Sequence, residues 1–473
     1  MRRSFGTLRT GSRLRRGVLP LCVAGLLLAV PAGAGAATIT VTTTIDELDS
    51  GPRCSLREAI WAANNDANGL ADGCVAGSGN DRIVVPAGRF RLTRSAPPPL
   101  PSSQEDANVY GDLDVTGAAT IVHRGIRPAI VDSNVPGERV FHVFSTGDTI
   151  TITGLTITGG ESFGGPEQSG GGILNEGSLV VRDSLIVGNR AAFGAGLSTE
   201  GSSTATLVNS TVSGNSADTD GGGISAESDG VVNLRAVTIS NNRADAFGGG
   251  GGDGGGIFAS STGGGGIVNL RNTLIGGNVD NGREAHDCAK LGNGQINSLG
   301  VNMVTNTNGC GYTPGPGDVL NRSARILPLT DNGGPTETHA LRKTSPAINR
   351  GASCGATDQR GVTRRLGGRC DIGAWELARC MGVVINLVGT NGPELLVGSP
   401  TADGILGRGS QDTLRGVSGN DGLCGGAGPD LLEGGPGSDD LDGGPGRDTC
   451  RPGSGRAQRV IRCELPRRPG RGR

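Results

Sequence analysis

Between residues 389 and 450 an aspartate returns every nine positions without a slip: Asp403, Asp412, Asp421, Asp430, Asp439 and Asp448. Two residues after each stands Ile405, Leu414, Leu423, Leu432, Leu441 and finally Cys450. Five residues before each stands Gly398, Gly407, Gly416, Gly425, Gly434 and Gly443, and Glu394 with Leu396 and Gly389 marks a further, degenerate unit. A flexible acidic tail would not keep such a period. Glycine lets a turn point its carbonyls inward without a clash at Cβ. The apolar residue enters a short strand and packs inside, and the aspartate places charge at the edge of the turn. With two turns per coil, Asp421 faces Asp439 and Asp430 faces Asp448.

This pattern resembles the repeats-in-toxin (hemolysin-type) nonapeptide, G-G-x-G-x-D-x-(apolar)-x, in which each turn cages Ca2+. Calcium takes six to eight oxygens, which glycine-freed carbonyls and aspartates supply. The glycine pairs Gly425-Gly426, Gly434-Gly435 and Gly443-Gly444, with the later Gly428, Gly437 and Gly446, mark the expected firm metal sites together with Asp421, Asp430, Asp439 and Asp448. Earlier units carry Ser399, Arg408 or Val417 at the second glycine, so Asp403 and Asp412 are the less certain ligands. Ten acidic and three basic residues between 389 and 450 repel one another without metal, so the roll is expected to fold with calcium.

Upstream, Gly makes up 88 of 473 residues and aromatics only 3%, which favours many tight turns over a large aromatic core. From residue 149 a longer unit repeats. The segments 154–160 (GLTITGG), 183–189 (DSLIVGN), 209–215 (NSTVSGN), 236–242 (AVTISNN) and 272–278 (NTLIGGN) alternate with GGGI-type elements at 170–173, 194–197, 221–224 and 254–257. Each unit offers about three short strands, and one coil cannot bury its own aliphatic face, so coils stack. The fold expected is all-β: a right-handed parallel β-helix with an N-terminal helical cap, followed by a C-terminal parallel β-roll. Asn189, Asn215, Asn242 and Asn278 end equivalent elements and are read as a structural asparagine ladder.

Ser55 and Glu58 have capping-box spacing, so a helix is expected to start there, with Leu56, Ile60 and Ala63 on one face, as a cap on the solenoid. The string 54–60 (CSLREAI) resembles the hallmark of CSLREA-domain proteins. The segment 286–380, with 327–336 (LPLTDNGGPT), 345–349 (SPAIN), 358–361 (DQRG) and 370–376 (CDIGAWE), is similar to the choice-of-anchor Q region that follows bacterial β-helices. That resemblance implies export and no reaction. Asp358, Arg360, Asp371 and Glu376 are read as a salt-bridged C-terminal cap on the helix. The expected units are a signal peptide over 1–36, the β-helix over 37–285, the choice-of-anchor Q-like cap over 286–380, the calcium roll over 389–450 and a basic tail over 451–473.

The signal is read from six arginines, the apolar run 18–30 and a small-residue site at 34–36. Its removal takes the formal charge from −2 to about −8, which disfavours nucleic acid, and no second apolar stretch is long enough to cross a membrane. Ten cysteines remain, an even number that suits disulfides in a secreted or cell-surface chain. Cys54–Cys74, Cys288–Cys310 and Cys354–Cys370 are the near-sequence pairs expected, though spacing leaves the connectivity open.

Two function classes stand. One is a non-catalytic surface, matrix or adhesion scaffold that meets a polysaccharide or the cell envelope. The alternative is a polysaccharide lyase or glycoside hydrolase on the β-helix flank. The catalytic candidates are Arg190 and Arg243, which follow equivalent asparagines, with Asp218 and Asp245 at one offset; solvated loop charges are the commoner meaning of such a set. His123 and His142 show no partner and are read as packed polar residues.

Overall fold

The computed structural model describes residues 35–67, 73–95, 107–145, 147–163, 168–247, 251–260, 264–282, 286–352, 354–364, 369–455 and 459–464. The expected signal lies, but for its last two residues, outside them. From Gly35 the chain forms one compact unit. Among the described residues no helix is long and apolar enough to cross a membrane.

The first part is a parallel β-helix. Each full coil runs a five-residue strand, a second strand of two to four residues, a two-residue strand and a three-residue strand. In one coil these are Thr204–Val208, Thr211–Ser213, Ser216–Ala217 and Ile224–Ala226. Each pairs in register with its equivalent one coil away, as Thr204↔Val231 and Ile224↔Ile257 do. The two-residue strand is an addition to the three expected; it is too short to leave an aliphatic run in the sequence. Its column buries Ala191, Ala195 and Ala217 instead. Parallel strands joined by crossovers take the right-handed sense as a rule.

Two turns explain the repeated motifs. The residue between the first and second strands holds a left-handed φ in successive coils, at Gly154, Asp183, Asn209, Ala236 and Asn272. Gly, Asn and Asp tolerate that region best. From the second on, each motif then ends at the asparagine ladder. The side-chain amide of Asn189 donates to Oδ1 of Asn215, that of Asn215 to Asn242, and that of Asn242 to Asn278, each at 2.9 Å. The column ends on Asp287, whose Oδ1 accepts from Asn278 at 3.0 Å. The last glycine of each GGGI element faces this column: a Cβ on Gly223 would lie 3.0 Å from the Asn242 amide nitrogen. Both motifs therefore serve one ladder.

The N-terminal helix is Leu56–Asn65, with the reciprocal Ser55–Glu58 capping box in place. It buries Leu56, Ile60 and Ala63 in the core shared with Ile39, Ile83 and Leu113. Arg57, fully buried, pairs with Asp46 at 2.7 Å and donates to the carbonyls of Gly111 and Asp112.

The ladders run past 285. Cys288–Lys290, Gln295–Ser298, Met303–Val304 and Val319–Leu320 all extend the β-helix sheets. The following segment does not close the end of the helix as expected. It lies along its flank, because its polar groups find partners on several coils. Gln359 bonds Ser184 and Thr211, His339 bonds Ser213, Ala374 bonds Thr238 and Asn272 bonds Asp371. The four charged residues singled out there are buried and structural. Arg360 pairs with Asp358 at 2.8 Å and stacks on Trp375, while Arg364 pairs with Glu376 at 3.3 Å.

The roll follows. One sheet runs Val383–Val388, Gly404–Gly409, Gly422–Ala427, Asp440–Asp442 and Val460–Ile461; the other runs Leu395–Val397, Thr413–Arg415, Leu431–Glu433 and Thr449–Arg451. Leu396, Ile405, Leu414, Leu423, Leu432, Leu441 and Cys450 fill the space between. Strand pairing extends past 450, into the stretch expected to be a free basic tail. The three expected disulfides are present, and Cys380–Cys424 and Cys450–Cys463 join them.

Candidate metal centre

Register sets the site. Strands eighteen residues apart pair directly, as Leu414↔Leu432 and Leu423↔Leu441 do. Turns therefore stack in two columns, one holding Glu394, Asp412, Asp430 and Asp448, the other Asp403, Asp421 and Asp439. Each carboxylate is aimed by a peptide of the previous coil. Oδ1 of Asp421, Asp430, Asp439 and Asp448 accepts the backbone N–H of Asp403, Asp412, Asp421 and Asp430 at 2.9–3.0 Å. The other oxygen, Oδ2, of Asp412, Asp421, Asp430, Asp439 and Asp448 is buried and meets no hydrogen-bond donor among the described residues.

Glycine keeps those oxygens open. A Cβ on Gly434 would stand 2.5 Å from Oδ2 of Asp439, and one on Gly443 would stand 2.6 Å from Oδ2 of Asp448. The second glycines, Gly426, Gly435 and Gly444, take left-handed φ of 94–106° and pack against carbonyls of the previous coil. Gly425, Gly428, Gly437 and Gly446 complete these turns. Gly453 and Gly455 add a further turn, since each sits against a carbonyl of the coil before, Gly435 and Gly437 respectively. Ala457 stands where the period calls for Asp, so the glycine spacing is the sequence signal of this turn.

The first turns differ. Oδ2 of Asp403 accepts both the N–H and the hydroxyl of Ser399, and its Oδ1 accepts from Asn386. Glu394 is likewise occupied by Thr390. Asp412 keeps a spare oxygen and stands with the later aspartates, whereas Asp403 does not. Burial, with the neighbouring carboxylates, pushes Asp412 and Asp421 up to about 6, and burial also raises Asp430 and Asp439. Stacked, buried, partly unmatched carboxylate oxygens beside close-packed turn carbonyls are a hard-donor set that fits a calcium ion. The ion would supply the positive charge that the protein leaves out. Asp421, Asp439, Asp430, Asp448 and Asp412 would hold it.

The catalytic candidates are not assembled in the same sense. Arg190 lies 3.9 Å from Asp218, and its guanidinium stacks over Phe163 and Phe247. Arg243 is two coils away, with Ser216 between them in the ladder. Asp245 is buried while Arg243 is exposed. One ion pair held by two phenyl rings is not a pair of carboxylates flanking a glycosidic bond.

His123 is packed, as expected, bonded to the carbonyls of Val85 and Arg127. His142 is not partnerless. It lies beside Asp114 in register, 3.6 Å from its carboxylate, and 2.9 Å from Glu176. Asp112, Asp114 and His142 bring one ligand-type atom each within 4.8 Å of one another, and Arg139 stands 3.7 Å from Asp112. Only the coil register brings these residues together, so no local motif announces them.

Residues 388–423 and 425–456 match the family model of the RTX calcium-binding nonapeptide repeat. The chain therefore carries calcium-binding repeats of that kind, which are typical of secreted proteins. No curated protein matches the chain. Among solved structures, the crystal structure of pectate lyase Pel9A is similar at 12% identity and a TM-score of 0.41, covering 72% of this chain and 97% of that one. The β-helix itself rests on the strand register described above.

Proposed function

We propose that this chain is an exported, calcium-binding β-helical scaffold of the CSLREA and choice-of-anchor Q kind. It acts at the cell surface or in the surrounding matrix without catalysis, and it meets a polysaccharide or the cell envelope. The observation that carries this reading is the run of buried Oδ2 atoms from Asp412 to Asp448, each aimed by a backbone N–H yet given no donor of its own. Five disulfides support an oxidising compartment. Calcium titration of the purified chain, followed by calorimetry and circular dichroism, tests it. Saturable uptake with a gain in β signal is expected; absence of uptake at millimolar calcium would leave only a β-helix without a metal role. Release of reducing sugars or unsaturated uronates from a polysaccharide panel, abolished by Asp218→Asn, would replace the scaffold with an enzyme.

A further inference from the structure

We propose that the cavity where the roll meets the β-helix binds a uronate unit of an acidic polysaccharide, with Arg408 of the roll as its carboxylate anchor. The proposal rests on the roll being folded by calcium, since the roll supplies one wall. The cavity measures about 440 Å³, within the range of small-ligand sites. The β-helix contributes Arg124 and Asp183, the flanking layer Gly334 and Gly361, and the roll Asn391 and Arg408.

Arg408 is the informative residue. It stands where later repeats have their second glycine, and it holds φ at 83°, a region that L side chains rarely adopt. Its guanidinium leaves the roll and approaches Gly361, where a Cβ would come within 2.5 Å of Nη1. A glycine with φ of 84° makes room for it. Its hydrogen bond within the protein is a long one, 3.5 Å to the Gly389 carbonyl. Among the described residues neither Arg408 nor Arg124 stands within ion-pair distance of an acid, whereas the neighbouring Arg360 is fully engaged by Asp358.

Two guanidinium groups without acid partners on one cavity call for an oxyanion, and a planar carboxylate matches the guanidinium fork. A bare anion would leave the rest of the wall unused. Asp183 accepts, and Asn391 both donates and accepts. Such groups suit sugar hydroxyls. The chemistry named is a polyol bearing one carboxylate, which is a uronate.

The test uses the full chain in millimolar calcium, titrated calorimetrically with short oligogalacturonate and oligoglucuronate, and with their methyl esters as uncharged counterparts. Binding of either acid, and at least about tenfold weaker binding of its ester, is expected. Arg408→Gly restores the repeat consensus, so it should take up calcium and fold as the parent does while binding the acid about tenfold more weakly or worse. An ester bound as tightly as its acid, an Arg408→Gly chain with unchanged binding, or no binding of either acid overturns the proposal. Acid bound equally in chelator overturns the roll-built wall. Calcium uptake is read on the same samples, so a chain that takes up calcium and ignores uronate sinks this site alone, while one that takes up none sinks the reading of the roll.

Discussion

The backbone N–H of Asp421 donates to Oδ1 of Asp439 at 3.0 Å, one full coil away. One oxygen of each roll carboxylate is thereby spent on orientation and the other is presented, already aimed. Asp439→Asn keeps the size of the side chain and the oriented oxygen but removes the charge. It should weaken calcium uptake in that column by about tenfold or more, the scale of a charge-assisted contact, and leave the Asp430–Asp448 column near the parent value. Calcium calorimetry on the two chains checks it. Equal affinity would mean that Oδ2 of Asp439 faces no ion.

Gly435 tests the stacking itself. Its φ is 96°, and a Cβ there would press into the carbonyl of Val417. Gly435→Ala should lower the calcium-saturated stability of the roll by roughly 1–3 kcal/mol, from left-handed strain and backbone contact together. Val417, at the equivalent place one coil earlier, already holds φ of 80° with a β-branched side chain. Val417→Gly should therefore be neutral or stabilising. Urea denaturation in saturating calcium reads both, and a loss at Val417→Gly as large as that at Gly435→Ala would contradict this account.

Much of this was legible because the determinants are local. In the roll, glycine, carboxylate and apolar residue sit within one nine-residue unit, so the period exposes turn, ligand and core together. The β-helix coil was legible for a similar reason: the left-handed residue at Asp183 or Asn209, the strand residues after it and the ladder asparagine lie in one heptapeptide. What stayed hidden depends on register or on packing between distant segments. Asp114 meets His142 only because their strands pair. The segment around Gln359 lies on the flank rather than on the end because Ser184 and Thr211, far away in sequence, offer it partners. Cys380–Cys424 joins that segment to the roll, a link that near-sequence pairing does not suggest.

Asn242 tests the ladder. Its Oδ1 accepts both the backbone N–H and the side-chain amide of Asn215, and its own amide donates to Val212 and Asn278. Asn242→Ala leaves several buried groups without partners, at about 1–3 kcal/mol for each one that water cannot reach. A loss of about 3–5 kcal/mol is expected in thermal or urea unfolding of the β-helix. The column ends on Asp287, whose other oxygen accepts from Thr305 and the backbone N–H of Asn306, so Asp287→Asn keeps an oxygen for Asn278 but turns an amide toward that N–H and should cost about 1–3 kcal/mol. A small effect at Asn242 would show that the ladder is incidental to stability.

The Asp112–His142 cluster carries a pH dependence whose sign is fixed. Burial alone would push His142 down, but its contacts with Asp114 and Glu176 outweigh burial and hold it at about 9. The stability it gives is whole below its ordinary value of 6.5 and is lost as pH rises through about 9. Burial, then Asp114, pushes Asp112 up to about 8, so the folded chain keeps a proton there that the unfolded chain releases near 3.8. Both groups therefore make the β-helix less stable as pH climbs from neutrality through the folded values of about 8 and 9. Asp112→Asn removes the carboxylate that must ionise in the dry interior while keeping a group for Arg139 to approach. Its urea midpoint, compared with the parent at neutral and at alkaline pH, should fall less between the two. If both chains lose stability equally over that span, Asp112 is already charged in the fold and the burial described for it has no thermodynamic consequence.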